Sequence, residues 1–269
     1  MLIIPDYSII TESPGLKATK EQIARLYHRY RFALDYSVNK DVIEVACGSG
    51  IGLGYLAKIA KSVTGGDIDE NNVALCRKLY DFKYRDQSPV QNGRIEVSLI
   101  DAHHLNFSEQ SFGLVLLYEA IYYLKDPAKF IAEAYRILIE SGVLIICTVN
   151  KDWIDFHPSP YIYKYYSVPE LYRLLSEHFS EVELFGAFST KINNPMSHIV
   201  SYIKRIATKF HLIPGSLAGR AYLKRLFLGP LKPTPRQISE GMAEYEPPVL
   251  IPSDISNKDY KIIYAVARK

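Results

Sequence analysis

Between residues 42 and 149 the chain alternates short apolar runs with amphipathic stretches, and this cadence constrains its fold more than any other feature. Residues 42–46, 62–67, 94–100, 112–118 and 143–149 read as strands. Helical patterns follow the first of them up to about residue 61, the second over 70–82, and the fourth over 128–138. The last helix opens with Asp126-Pro127, an N-cap and first-turn pair, and Ser141-Gly142 reads as its stop. Residues 84–93, with Pro89, Asn92 and Gly93, read as a polar loop. Strand, helix, strand at this spacing predicts an α/β protein, with a parallel sheet covered by helices on both faces. The continuous apolar run at 143–149 suits a strand buried on both sides. Ahead of the cadence, Ile23, Leu26, Tyr27, Tyr30 and Leu34 fall on one face of a predicted helix over 20–34. Beyond it, 167–179 reads as a helix capped by Ser167, while 181–188 and 261–267 read as strands. Roughly seventy residues separate those last two strands, and connections of that length are usually functional.

Composition narrows the class. With 32 Lys+Arg against 29 Asp+Glu in 269 residues, 48% apolar and 23% charged, the chain is neither disordered, collagenous nor a heavily charged nucleic-acid packer. Its three cysteines, Cys47, Cys76 and Cys147, form no C-x-x-C pair, which argues against a disulfide framework or a zinc site and for a reducing, cytoplasmic setting. The start MLIIPDYSII lacks a basic leader and is broken by Pro5 and Asp6, so it makes a poor signal peptide. No uncharged apolar run reaches the ~18 residues that a spanning helix needs. The expected organisation is one domain: an N-terminal helical cap (1–37), a cofactor-binding core (38–188), an insertion (189–258) and a terminal strand (259–269).

The net charge of +3 conceals a strong asymmetry. No Asp or Glu occurs between Glu183 and Glu240, an interval holding nine Lys and Arg, so the remainder sums to 23 minus 29, or −6. Ile199, Val200, Ile203, Ile206, Ala207 and Phe210 share one helical face there, with Lys204, Arg205 and Lys209 elsewhere on the helix, and 217–228 suggests a second helix. Such an insertion suits a lid meeting a phosphate or carboxylate, an element lying on an anionic membrane, or a solvated helical pair.

The glycine-rich turn Ala46-Cys47-Gly48-Ser49-Gly50-Ile51-Gly52 sits where the first strand hands over to a helix, a place where backbone must come close to a ligand. Alone it is a weak signal. Glu44 before it, Asp67 at the end of the second strand and Asp101-Ala102 after the third strengthen it. A nicotinamide enzyme prefers G-x-G-x-x-G, whereas Gly52 arrives one residue early and Asp101-Ala102 would be left unexplained.

Taken in order, VIEVACGSG, GGDIDENN, LIDAHHL, SFGLVLLYEAIYYLKD and YRILIESGVLIICTVN resemble the successive motifs of class I S-adenosylmethionine-dependent methyltransferases. The resemblance covers about residues 26–188 and the terminal strand, and is closest to the branch acting on small molecules and sugars. It implies a Rossmann-like, doubly wound, mostly parallel seven-stranded sheet with helices on both faces and a helical insertion before the last strand. It implies S-adenosylmethionine as cofactor. Glu44 would help hold the ammonium group, the backbone from Ala46 through Gly48 to Gly50 would line the methionine part, and Asp67 with Ile68 would meet the ribose. Asp101 and the Ala102 N–H would meet the adenine, Tyr118 would flank the sulfonium, and Arg29 and Tyr30 are candidates for the carboxylate. Elements inserted near the last strands of this family commonly shape the acceptor pocket, which favours the lid. A noncatalytic cofactor-binding or scaffold protein on the same fold is the rival reading.

Methyl transfer needs alignment, and a base only when the acceptor must lose a proton. Glu119, directly after Tyr118, and His157 in WIDFHPSPY are the candidates for that role, with His103 and His104 behind them. Trp153, Phe156, Tyr161, Tyr163, Tyr165 and Tyr166 can stack on a ring or cover the sheet edge. No spacing declares a metal site. The N/D-P-P-aromatic signature of base-amine methylation is replaced by LYEA, and no aromatic-interleaved RNA motif is present, so nucleic acid is not the expected partner. The expected acceptor is a small, anionic molecule such as a sugar or nucleotide-sugar, with a lipid-linked acceptor at an anionic membrane surface as the alternative. No feature speaks to oligomeric state.

Overall fold

The computed structural model describes residues 12–80, 94–159, 162–191 and 230–269. The polar loop at 84–93, Tyr161 and both helices expected in the basic insertion lie outside the described residues.

After the two-residue strand β1 (Lys17–Ala18) comes α1 (Lys20–Ser37), started by a capping box in which Thr19 accepts from Gln22 N–H and Gln22 answers. The core then runs β2 (Asp41–Val45), α2 (Leu53–Leu56), β3 (Ser62–Asp67), α3 (Glu70–Tyr80), β4 (Arg94–Leu99) and β5 (Phe112–Tyr118). It continues through α4 (Pro127–Ile137), β6 (Leu138–Val149), α5 (Val168–Ser176), β7 (Glu181–Ser189), β8 (Lys232–Pro233), β9 (Val249–Ile251) and β10 (Tyr260–Arg268). The sheet order is β4-β3-β2-β5-β6-β10-β7-β9. The pairs from β4 through β6 are parallel, while β10 lies antiparallel between β6 and β7. One face buries Leu26, Tyr30, Leu53, Leu56 and Cys76 from α1, α2 and α3. The other buries Phe130, Ile131, Leu171 and Leu175 from α4 and α5. The Rossmann-like expectation of helices on both faces is therefore met.

Three local readings are corrected. Among the described residues the sheet has eight strands, not seven, because the three-residue β9 adds antiparallel to β7. Three residues are too few to show a period in sequence. Second, α2 spans only four residues, since Lys58 N–H reaches Tyr55 O and Ile59 N–H reaches Leu56 O in tight turns. The chain must close quickly there, because Asn39 N–H takes Ile59 O and Lys61 N–H takes Lys40 O. Third, Ser141-Gly142 does not stop a helix. The helix ends at Ile137, and pairing with β5 jumps from Phe112↔Leu138 to Leu114↔Val143, so residues 139–142 form an irregularity within β6.

Beyond the sheet, β1 pairs antiparallel with β8. The tail of the long connection then crosses α1 and α2: Ile238 N–H donates to Ile51 O, the hydroxyls of Tyr27 and Tyr55 both donate to Glu240, and His28 Nε2–H donates to Glu246 O at 2.6 Å. This fastens residues 238–246 beside the helix that carries Arg29 and Tyr30.

Candidate active site

The chain leaves β2 for β3 and β4 on one side, then crosses to β5 on the other, so the carboxyl ends of β2 and β5 part at a topological switch point. A cavity of about 340 Å³ opens there, walled by strand ends, the glycine-rich turn and one face of α1.

The turn is built from left-handed backbone: Ala46, Gly48 and Gly50 have φ of 58°, 56° and 73°. Ala46 holds that conformation despite its Cβ, at a cost on the order of 1–2 kcal/mol that glycine would not carry. Gly52 is required for a different reason. A Cβ there would fall inside the ring of Tyr30, which lies across it from α1. So placed, Tyr30 donates its hydroxyl to Glu44 Oε1 at 2.7 Å. The other oxygen, Oε2, is buried without a partner, and burial pushes the Glu44 carboxyl up to about 7. A carboxylate left half-satisfied in a cavity wall is a place for a cation.

Asp67 is buried with both oxygens turned to the turn and the next helix. Oδ2 accepts Gly48 N–H at 2.8 Å, and Oδ1 accepts Asp69 N–H at 2.9 Å and the Asn72 amide at 3.3 Å. Ile68 beside it is exposed on the cavity rim. Asp101 accepts the N–H and the ring Nδ1–H of His103. Burial pushes its carboxyl up, but these bonds outweigh it and hold the group below the usual range. His103 Nε2 meanwhile accepts Asp126 N–H, so neither ring nitrogen is left to act as a base. Tyr118 donates its hydroxyl to Arg29 O at 3.1 Å and meets Tyr30 edge to face.

Glu119 has φ 50° and does not cap a helix; its N–H donates to Cys147 O at 2.8 Å. Its carboxylate points into the cavity wall, accepts the Tyr122 hydroxyl at 3.0 Å, and lies 4.0 Å from Cys147 Sγ. Burial raises its carboxyl, against the pull of Arg29 and Arg25.

Ten of the eleven residues expected to hold the cofactor thus line one cavity: Arg29, Tyr30, Glu44, Ala46, Gly48, Asp67, Ile68, Asp101, Ala102 and Tyr118, with Glu119 among them. Gly50 does not line it. It backs onto Cys76, and its carbonyl accepts the Tyr80 hydroxyl at 2.6 Å, so its role is to shape the turn. His157 is not brought to the cavity either. It is exposed, and its Nδ1–H donates to Asp155 O. The segment after β6 turns outward, Phe156 N–H closing on Trp153 O and the Phe156 ring packing on Tyr165, which carries His157 away. His104 sits at the surface beside Lys129. None of the described aromatics at 153–166 lines the cavity, and Tyr166 is buried in the core.

Sequence reasoning missed Tyr122, Tyr123 and Leu124, and also Glu12, Gln22 and Arg25. A signal was available for part of this set: 22, 25, 26, 29 and 30 recur at helical spacing, a polar stripe on an otherwise buried face. Among the described residues no group of three His, Cys, Asp or Glu is placed to hold a metal ion.

Residues 43–146 match the methyltransferase-domain family model. The chain is 28% identical over 176 residues to a probable S-adenosylmethionine-dependent methyltransferase of Mycolicibacterium smegmatis, covering 63% of each protein. It is 34% identical over 119 residues to the phthiotriol/phenolphthiotriol dimycocerosates methyltransferase of Mycobacterium tuberculosis, covering 44% of this chain and 40% of that one. The chain therefore spans less than two thirds of the length of these curated relatives. The solved structure of a SAM-dependent methyltransferase from Archaeoglobus fulgidus superposes with a TM-score of 0.53 at 15% identity, over 94% of this chain and 95% of that one, which shows a shared fold. In its strand order, its glycine-rich turn and its matched core over residues 43–146, the chain is thus similar to S-adenosylmethionine-dependent methyltransferases.

Proposed function

We propose that this protein binds S-adenosylmethionine in the 340 Å³ cavity and transfers its methyl group to a hydroxyl or amine of a small, anionic acceptor. The observation that carries the reading is Glu44: a buried carboxylate, oriented by Tyr30, with one oxygen unpaired beside a left-handed glycine turn. That donor set fits the cofactor's ammonium group. On this reading Asp67 meets the ribose, and Asp101 with Ala102 the adenine, which their shared position in the cavity lining supports. When bound, the cofactor supplies an electrophilic methyl group on a sulfonium. Tyr118 and Tyr30 wall that end of the cavity and exclude water. Glu119 would then take the proton from the acceptor's nucleophile, a role supported by its burial, which raises the carboxyl, and by its bond to Tyr122.

Calorimetry with S-adenosylmethionine tests the reading directly. Binding is expected, weakened about 10- to 100-fold in Asp67→Ala, or roughly 1.4–2.7 kcal/mol; no binding at millimolar cofactor would remove it. With any acceptor that turns over, Glu119→Gln is expected to lower kcat by about 10²–10⁴ while leaving cofactor affinity intact. An unchanged kcat would take the base role from Glu119. Binding without turnover on any acceptor favours a noncatalytic cofactor-binding protein.

The similarity to the phthiotriol/phenolphthiotriol dimycocerosates methyltransferase supports a second reading, in which the acceptor is lipid-linked and reached at a membrane surface.

A further inference from the structure

The face of α1 that lines the cavity carries two arginines whose donors are only half used. Gln22, Arg25, Leu26, Arg29 and Tyr30 form that face. Arg29 is buried; its Nη2 pairs with Glu12, while its Nε has no partner. One turn earlier, Arg25 Nη2 meets Glu21 at 2.6 Å, and its Nε is likewise buried and unpartnered. A guanidinium is a fork built to grip a carboxylate or phosphate through paired N–H groups, and an unmade bond at a buried donor is costly. The other carboxylates of the wall bond elsewhere: Glu44 to Tyr30 through one oxygen, Glu119 to Tyr122 and Asp101 to His103.

Glu12 stands apart from these. It comes from the segment ahead of β1, its side chain is 43% exposed, and it is tied down through its backbone, where Ser49 Oγ–H donates to Glu12 O at 3.1 Å. It lends a carboxylate to an arginine that would otherwise be an uncompensated buried charge. A resident carboxylate of this kind occupies the position that a ligand's anion would take.

We infer that Arg25 and Arg29 form an anion subsite for the acceptor. The acceptor's carboxylate or phosphate displaces Glu12 from Arg29, engages the free Nε donors, and presents the neighbouring hydroxyl or amine toward Glu119. The acceptor class is then a small molecule that carries both an anionic group and a protonated nucleophile. The inference rests on the methyltransferase reading. The competing source of the same chemistry is the carboxylate of the cofactor itself.

The test is calorimetric titration of inorganic phosphate, and of acetate in parallel, into protein saturated with S-adenosylhomocysteine. Phosphate or acetate is expected to bind this complex. Arg25→Gln should weaken that binding at least tenfold without altering S-adenosylhomocysteine affinity. Glu12→Gln should strengthen it at least threefold, since the competing carboxylate is gone; this opposite sign cannot come from a damaged fold. The inference is overturned if neither anion binds, if Arg25→Gln leaves anion affinity unchanged, or if the anions compete with S-adenosylhomocysteine, which would give the subsite to the cofactor. Should S-adenosylhomocysteine fail to bind while anion binding still responds to both substitutions, the anion subsite stands and the methyltransferase reading falls.

Discussion

At the scale of single residues, Glu44 sets the pH behaviour of the site. Its carboxyl rises from an ordinary value of 4.5 to about 7 on burial, so the folded chain holds a proton that the unfolded chain releases. Its contribution therefore favours the folded state least at high pH, with stability lost as pH climbs from about 4.5 through about 7. Glu44→Gln keeps a hydrogen-bonding oxygen for Tyr30 and removes the charge. Thermal unfolding at pH 8 should then find that variant at least as stable as wild type, with a flatter stability profile across this window. Cofactor binding runs the other way. A cation needs the ionised carboxylate, so wild-type affinity should weaken between about pH 7.5 and about pH 5.5, where a proton must leave first. Calorimetry at the two pH values checks this; equal affinities would mean that Glu44 does not face the ammonium group.

At the scale of elements, the site depends on how α1 docks against the glycine-rich turn. Gly52 matters because Tyr30 passes over it. Gly52→Ala should push that ring aside, loosen its bond to Glu44, cost about 1–3 kcal/mol in stability and weaken S-adenosylhomocysteine binding. If melting temperature and binding both hold, the ring has room to slide and the packing argument is wrong. Elements with full periods were legible in the chain itself: β5 and β10 as apolar runs, α5 from its Ser167 cap, and the glycine turn from its spacing. The residues around that turn were legible for the same reason, since each sits at a strand end and strand ends converge. What escaped were features set by tertiary closure. The short α2, the irregularity at 139–142 and the three-residue β9 answer to neighbouring strands and leave no pattern of their own. His157 was attractive only by its place after a strand, and the direction in which the following segment turns cannot be read from composition. Glu12 and Arg29 meet across a sequence distance that periodicity does not bridge.

For the molecule as a whole, charge distribution bears on the lipid-directed reading. Of the nine cations in the acid-free interval, Lys191, Lys232 and Arg236 fall among the described residues, and Lys191 is matched by Asp259 at 2.8 Å. Among the described residues no helix is long and apolar enough to cross a membrane. On that reading the protein should sediment with anionic vesicles at low salt and come off as salt is raised. Protein left in the supernatant at both salt levels rules it out. The placement of β10 has a separate consequence, for how the molecule is made. This strand fills the gap between β6 and β7, yet begins about 110 residues after β6 ends. On the ribosome, at rates on the order of 5–20 residues per second, that interval lasts roughly 5–20 s. Throughout it the nascent β6 presents an apolar, unpaired edge, the kind of surface that invites a wrong partner. The cofactor half of the sheet can assemble early, but it must wait for its far neighbour, and a chaperone able to cover one open strand edge is the assistance this topology calls for.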